Sequence, residues 1–285
     1  MPVPSAFKFL RRAAIAVLAL ATPALGQVSE NVDTSLLETW RLNSGNVVRF
    51  CQYESVPTFA FDRAVGQAIA DRLLTNTEFL ALGASYGIGG EYAAEDLFVT
   101  LTNDCDVMLG MGLASGMYPV EFIATRAYVG FPYVLAVADP EIERLTDIAG
   151  DRRLGAPVGS YGLVALVRYS ATLPEAQRWQ VLPYGDMDLM TTRLLDGTIA
   201  GMVVYGPSLV RYQQDNTIDG EISVLPLDAQ IAARVEIGGL MLARNGYLRT
   251  LIDQAIALMV EDGTITALLA EYGFDTLSPA PGGYQ

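Results

Sequence analysis

The sequence predicts an α/β protein made of two successive series of alternating strands and helices. Three observations carry this. From residue 46 onward, apolar runs of strand length alternate with segments of helical periodicity. Strands such as "CDVMLGMG" (105–112) are apolar on both faces, as a parallel strand covered by helices must be. A long apolar strand, "AYVGFPYVLAVA" (127–138), then leads into a second series of the same kind.

The first series opens with "NVVRFCQY" (46–53), a buried strand. "FDRAVGQAIADRLL" (61–74) follows, with Phe61, Val65, Ile69 and Leu73 at helical spacing. "TEFLALGA" is a second strand, "GIGG" (87–90) a loop, "EYAAEDLFVTLT" a helix, and 105–112 the third strand. This β-α-β-α-β order implies an open parallel sheet with ligand chemistry at the carboxyl ends of its strands. After the strand at 127–138, "IERLTDIAGDRRLGAPVGSYG" holds a short helix, a strand and a glycine turn. "YGLVALVRYSA" is a helix, "WQVLPYG" a strand, "MDLMTTRLLDG" a helix, "IAGMVVYG" a strand, "PSLVRYQQD" a helix and "EISVLPL" a strand. "VEIGGLMLARN" (235–245) returns as a strand, and two amphipathic helices close the chain before the tail "SPAPGGYQ", which is expected to be mobile. A short helix is also expected around Thr34–Arg41.

Composition bounds the function. A chain of 285 residues, 51% hydrophobic and 18% charged, is long enough for one or two cored domains and is not disordered in composition. Residues 1–26 read as a signal peptide: Lys8, Arg11 and Arg12 form a positive region, "AAIAVLALA" an apolar one too short to span a bilayer, and Ala24 and Gly26 a small-residue cleavage site before Gln27. No cysteine stands at that site, so no lipid anchor is expected, and the residues around Arg11-Arg12 give little support for twin-arginine export. The expected location is therefore the periplasm, without a membrane anchor. Cleavage would remove three positive charges and change the net charge from −14 to −17. The mature chain would hold neither lysine nor histidine. Such acidity argues against nucleic acid and against docking on anionic lipid. It suits a basic partner or a neutral or cationic small molecule, and it also simply keeps a protein soluble.

With no histidine, neither a Ser-His-Asp nor a Cys-His system can be built, nor a histidine metal site. No metal-loop spacing, Walker loop or G-x-G-x-x-G after a strand is present. The expectation is a non-enzyme without cofactor, metal or catalytic residues.

Several motifs resemble the periplasmic solute-binding proteins of family 3, with the type II fold, a family that includes amino-acid receptors. "LTDIAGDRRLGAPVGSYG" resembles the family's entry to its second lobe, and "LLDGTIAGMVVYG" its "L-x-x-G-x-[IV]-D-A-x-[IV]-x-D" stretch. "VEIGGLMLARN" resembles the return strand, and "DGTITALLAEYGF" the closing helix. The resemblance covers about residues 45–274. It implies two α/β lobes with a double hinge crossing, at "GFPYV" and near "RVEIG". Lobe one would comprise 45–132 and 236–274, lobe two 133–235, and the tail 275–285. A narrower likeness is to the quinoprotein-dehydrogenase-associated, methanol-oxidation protein J-like branch. It is carried by "VRFC", "CDVMLGM", "GMYPVEFIATRAYVGFPYVLAV", "VVYGPSLVRY" and "LLAEYGF". The first-strand exit, "CQYESVPTF", departs from that branch's pattern.

The resemblance places the ligand cleft between the lobes. Lobe one would offer Tyr53, Glu54, Ser115 and Tyr118, and lobe two Ser160, Tyr161, Tyr205 and Gly206. Amino-acid receptors carry an arginine ten residues before the tyrosine that matches Tyr128; here that residue is Tyr118. They carry an ammonium-binding aspartate where this chain has Tyr205. Tyr118 and Tyr205 are thus expected to face one another across the cleft and to abolish ordinary amino-acid binding, although lone tyrosines near a cleft commonly only pack. A tyrosine lining suits neutral, aromatic or cationic groups, and Glu54 adds one negative charge. The Gly159-Ser160 turn offers backbone N–H groups to an anion, or Ser160 is a plain helix N-cap. Arg126 points into the cleft or joins a hinge salt bridge. Cys51 and Cys105 are an even pair in an oxidising compartment, which favours a disulfide. Against this, the expected strand order puts them at opposite ends of neighbouring parallel strands, where both would remain buried thiols.

Two functions follow from these readings. The first is an accessory factor of a PQQ-dependent methanol or alcohol dehydrogenase, bound to that enzyme, its cytochrome c or a small ligand. The alternative is an ABC-transporter substrate-binding protein for a small solute, an amino acid or a related compound.

Overall fold

The computed structural model describes residues 45–83, 94–114 and 116–281. The expected signal peptide, the helix around Thr34–Arg41, the 87–90 loop, Ser115 and the last four residues lie outside them. Lobe one begins with β1 (Val47–Tyr53), α1 (Phe59–Leu73), β2 (Asn76–Leu82), α2 (Ala94–Asn103), β3 (Val107–Leu113) and β4 (Phe122–Ala124). β5 (Val129–Val137) leads to lobe two, with β6 (Arg153–Pro157), α3 (Tyr161–Thr172), β7 (Gln180–Tyr184) and α4 (Met187–Leu195). β8 (Gly201–Tyr205), α5 (Gly206–Asp215) and β9 (Ser223–Pro226) complete that lobe. β10 (Arg234–Leu242) returns the chain to α6 (Gly246–Glu261), α7 (Thr264–Glu271) and β11 (Ala280–Pro281).

The sheet runs β2-β1-β3-β10-β5-β8-β6-β7. β1 is parallel to β2 and β3, and β6 is parallel to β7 and β8, so each lobe has its own parallel core. β5 and β10 are the two crossings. The first half of β5 pairs antiparallel with β10, from Val129↔Ile237 to Pro132↔Arg234, and its second half pairs with β8. β10 continues along β3 and β4. The fold is the two-lobed type II architecture.

Burial explains the elements. α1 buries Phe61, Val65, Ile69 and Ala70, the i, i+4, i+8 stripe legible in the sequence. Phe61 is fully buried, with Tyr128, Phe131, Tyr272 and Phe274 rings 5.8–6.3 Å away. Burying that ring contributes roughly 2–3 kcal/mol. Gly66 lets α1 approach the sheet, for a Cβ there would stand 2.6 Å from Leu109 Cδ1. One apolar cluster runs from Phe61 and Val65 of lobe one to Met190, Met202 and Leu209 of lobe two.

Cys51 and Cys105 are joined, with Cα atoms 5.8 Å apart. Cys105 is not a strand residue: β3 starts at Val107, paired with Phe50. Cys105 belongs to the turn after α2, its N–H donating to Thr100 O, and it shares a buried cluster with Cys51, Leu97 and Leu101. The objection from opposite strand ends therefore fails, because the turn brings Cys105 back beside the face where Cys51 lies. Of the tail expected to be mobile, residues up to 281 are docked. Leu277 is buried, and Ala280–Pro281 pairs with the hinge strand at Gly130 and Val129.

Candidate functional site

The residues expected in the cleft separate into groups. Tyr161, Tyr133 and Tyr205 form a row on lobe two. The Tyr133 ring lies 5.5 Å from Tyr161 and 5.6 Å from Tyr205. Tyr161 is half exposed at the start of α3 and Tyr205 ends β8. Phe131 continues the row 6.4 Å beyond Tyr205. Burial, above all, raises the Tyr133 pKa, while the Tyr161 N–H donating to its hydroxyl lowers it. Tyr133 went unremarked in the sequence because its strand read as a hinge crossing. The signal was the period-two placing of Phe131 and Tyr133 on one face.

Tyr205 is partly buried, and its buried hydroxyl has no hydrogen-bond partner among the described residues. Burial first, then the charges of Asp62 and Tyr133, push its pKa well up. Asp62 itself is 1% exposed on α1 and went unnoticed in the sequence. Its carboxylate accepts from Thr58 Oγ1 at 2.6 Å and from the Tyr128 hydroxyl at 2.7 Å. The Tyr128 hydroxyl in turn accepts from Gly110 N at 3.0 Å. Burial outweighs the two hydrogen bonds and pushes Asp62 up to about 7. Gly110 has φ +74°, and a Cβ there would stand 2.5 Å from Asp62 Oδ2, so only glycine fits above the carboxylate.

Tyr118 is elsewhere. Its hydroxyl donates to Gly112 O at 2.9 Å and its ring meets Phe122 edge-on, in the cluster that holds the disulfide. Burial pushes its pKa up to about 12. Tyr205 packs in the other cluster, on Phe131 and Tyr133. The structure does not pair Tyr118 with Tyr205; a phenol so enclosed satisfies its hydroxyl on lobe one's own backbone.

Tyr53 is buried in the disulfide cluster, and Glu54 is exposed. Ser160 caps α3, its Oγ accepting from Leu163 N at 3.1 Å. Gly206 opens α5, where a Cβ would stand 3.0 Å from Leu277 and from Pro132 O; its smallness serves packing. The Arg126 backbone N–H donates to Asp253 Oδ1 of α6 at 2.7 Å, and its charge, with that of Arg249, lowers a carboxyl whose pKa burial raises. The two lobes meet through α5. Arg211 donates to Glu54 O at 3.2 Å and Val56 O at 2.9 Å, and Gln214 donates to Tyr272 O at 3.0 Å. Among the described residues no group of three His, Cys, Asp or Glu side chains could hold a metal, and no helix is long and apolar enough to cross a membrane.

Two lobes joined by two crossing strands define the type II periplasmic binding class of fold. Solved structures agree. The probable amino-acid ABC transporter extracellular-binding protein ytmK from Bacillus subtilis superimposes with a TM-score of 0.63 at 15% identity, over 81% of this chain and 98% of that one. Substrate-binding domain 2 of Lactococcus lactis GlnP, in an open conformation, gives 0.65 at 15%, over 80% and 95%. The ancestral cationic amino-acid solute-binding protein AncCDT-1 gives 0.61 at 13%, over 83% and 98%. A second structure of AncCDT-1, described as a precursor of cyclohexadienyl dehydratase, gives 0.53 at 13%, over 82% and 98%. No protein-family model and no curated protein matches the sequence.

Proposed function

We propose that this protein is an exported, non-catalytic solute-binding protein that presents a small, weakly charged organic solute to an ABC transporter. The observation that carries the reading is the row Tyr161–Tyr133–Tyr205, set beside two crossing strands that let the lobes move as bodies. The fold is shared with proteins named as amino-acid transport receptors. A role beside a PQQ-dependent dehydrogenase has no comparable support. The row offers aromatic faces and hydroxyls but no guanidinium–carboxylate pair for an α-amino acid. Charge-assisted bonds contribute about 1.5–3 kcal/mol each, so lacking both clamps weakens an amino acid by roughly 3–6 kcal/mol.

Calorimetry of the purified chain tests this, against the common amino acids and against neutral aromatic solutes. The expected result is no micromolar amino-acid binding, and binding of an aromatic solute that Tyr133→Ala weakens about tenfold. Micromolar binding of an ordinary amino acid, unaffected by Tyr133→Ala, would refute the reading.

A further inference from the structure

Lobe two carries a pocket outside the tyrosine row. It opens at the carboxyl ends of β6 and β7, between α4 and α5, with a volume of about 410 Å³. That lies within the range of small-molecule sites. Tyr184, Tyr212, Met187 and Met190 are among its lining residues. Asp186, Asp215 and Arg211 supply its charge.

The basic residue is already engaged. Arg211 Nε pairs with Asp215 at 3.4 Å, and its terminal nitrogen donates to the Glu54 and Val56 carbonyls of lobe one. Arg211 and Asp215 thus offset one another. On the opposite wall stands the first turn of α4. Asp186 caps it, with Oδ1 accepting from Leu189 N at 2.9 Å. Asp188 follows on that turn and accepts from the Tyr212 hydroxyl. Asp186, the lining carboxylate that no lining cation offsets, stands against a helix end worth about half a positive charge and leaves the pocket negative by roughly half a charge, with Asp188 behind the Tyr212 hydroxyl adding to the field from outside the lining. An anion is repelled there. A cation gains from the Asp186 carboxylate and from a lining that includes two tyrosines and two polarisable thioethers.

We propose that this pocket is a second binding site, separate from the tyrosine row, for an organic ammonium compound with an aromatic or short apolar body. The acidic surface of the whole chain, net −14, draws such a ligand towards it.

The test is calorimetry of the full chain with 2-phenylethylammonium chloride, with sodium 3-phenylpropionate at matched ionic strength as the anionic counterpart. Asp186→Asn is the deciding variant. Asparagine caps a helix as well as aspartate does, so the variant removes charge and keeps the cap. The expected result is saturable binding of the ammonium, about tenfold weaker or more in Asp186→Asn, and no binding of the carboxylate. The proposal is overturned by no saturable binding up to about 10 mM, by equal affinity in Asp186→Asn, or by equal binding of 3-phenylpropionate. Binding lost in Tyr133→Ala and kept in Asp186→Asn would place the ammonium in the tyrosine row, overturning this pocket while leaving the solute-binding reading intact.

Discussion

Replacing Asp62 by asparagine should remove a pH dependence from the stability of this protein. Asp62 is buried beneath Gly110, and burial pushes its pKa from 3.8 to about 7. The folded state therefore favours the neutral acid. Below about pH 4 the group is protonated folded and unfolded alike, and its full contribution is present. As the pH rises, the unfolded chain releases this proton first, and stability falls until the folded carboxyl also ionises near pH 7. Over the whole interval the loss is about 4 kcal/mol, and between pH 5 and 8 it is about 2–3 kcal/mol. Asparagine keeps the shape and cannot ionise. Its oxygen can accept from Tyr128, and its amide can donate to Thr58, whose hydroxyl serves as donor or acceptor. Urea unfolding of both proteins at pH 5 and pH 8 reads the effect. The difference between wild type and Asp62→Asn should move by about 2–3 kcal/mol in favour of the variant on going to pH 8. A difference constant within about 0.5 kcal/mol would refute the account of Asp62 as a carboxyl kept neutral by burial.

Two further outcomes are expected. Reducing the bond between Cys51 and Cys105, or replacing both by alanine, opens a crosslink spanning 54 residues and should cost about 4 kcal/mol by chain entropy; a thiol titration before and after reduction, with a urea midpoint, checks it. Arg211→Ala removes the donor that α5 gives to the Glu54 and Val56 carbonyls of lobe one. Its side chain is about two-fifths exposed, so the stability cost should be about 1 kcal/mol or less, while amide exchange around residues 54–58 speeds up; unchanged exchange would show that the contact does not hold the lobes.

The order of strands and helices could be read from the sequence because burial imposes a local period. The stripe Phe61–Val65–Ile69 and the apolar run of β3 each record which side of an element meets its neighbours. The two crossings at "GFPYV" and "RVEIG" follow from the family resemblance of the motifs around them; periodicity alone marks both stretches only as apolar runs. β4 and β11 were missed. They have three and two residues, too few for any period to register, and they exist because β10 and β5 offer open edges. The site residues divide between those settled by local contacts and those settled by contacts distant in sequence. Ser160 as a cap is local, bonding Leu163 three positions on, and is legible in the sequence. Tyr118 satisfies its hydroxyl on Gly112, and only the turn between them sets that distance. Asp62 reads as one polar residue at a helix start. Its character comes from Tyr128 and Gly110, 66 and 48 positions away, which enclose it and so change the energy of its charge. Periodicity reports that a residue is buried; it does not report which polar group is buried with it, and that partner decides a site's chemistry.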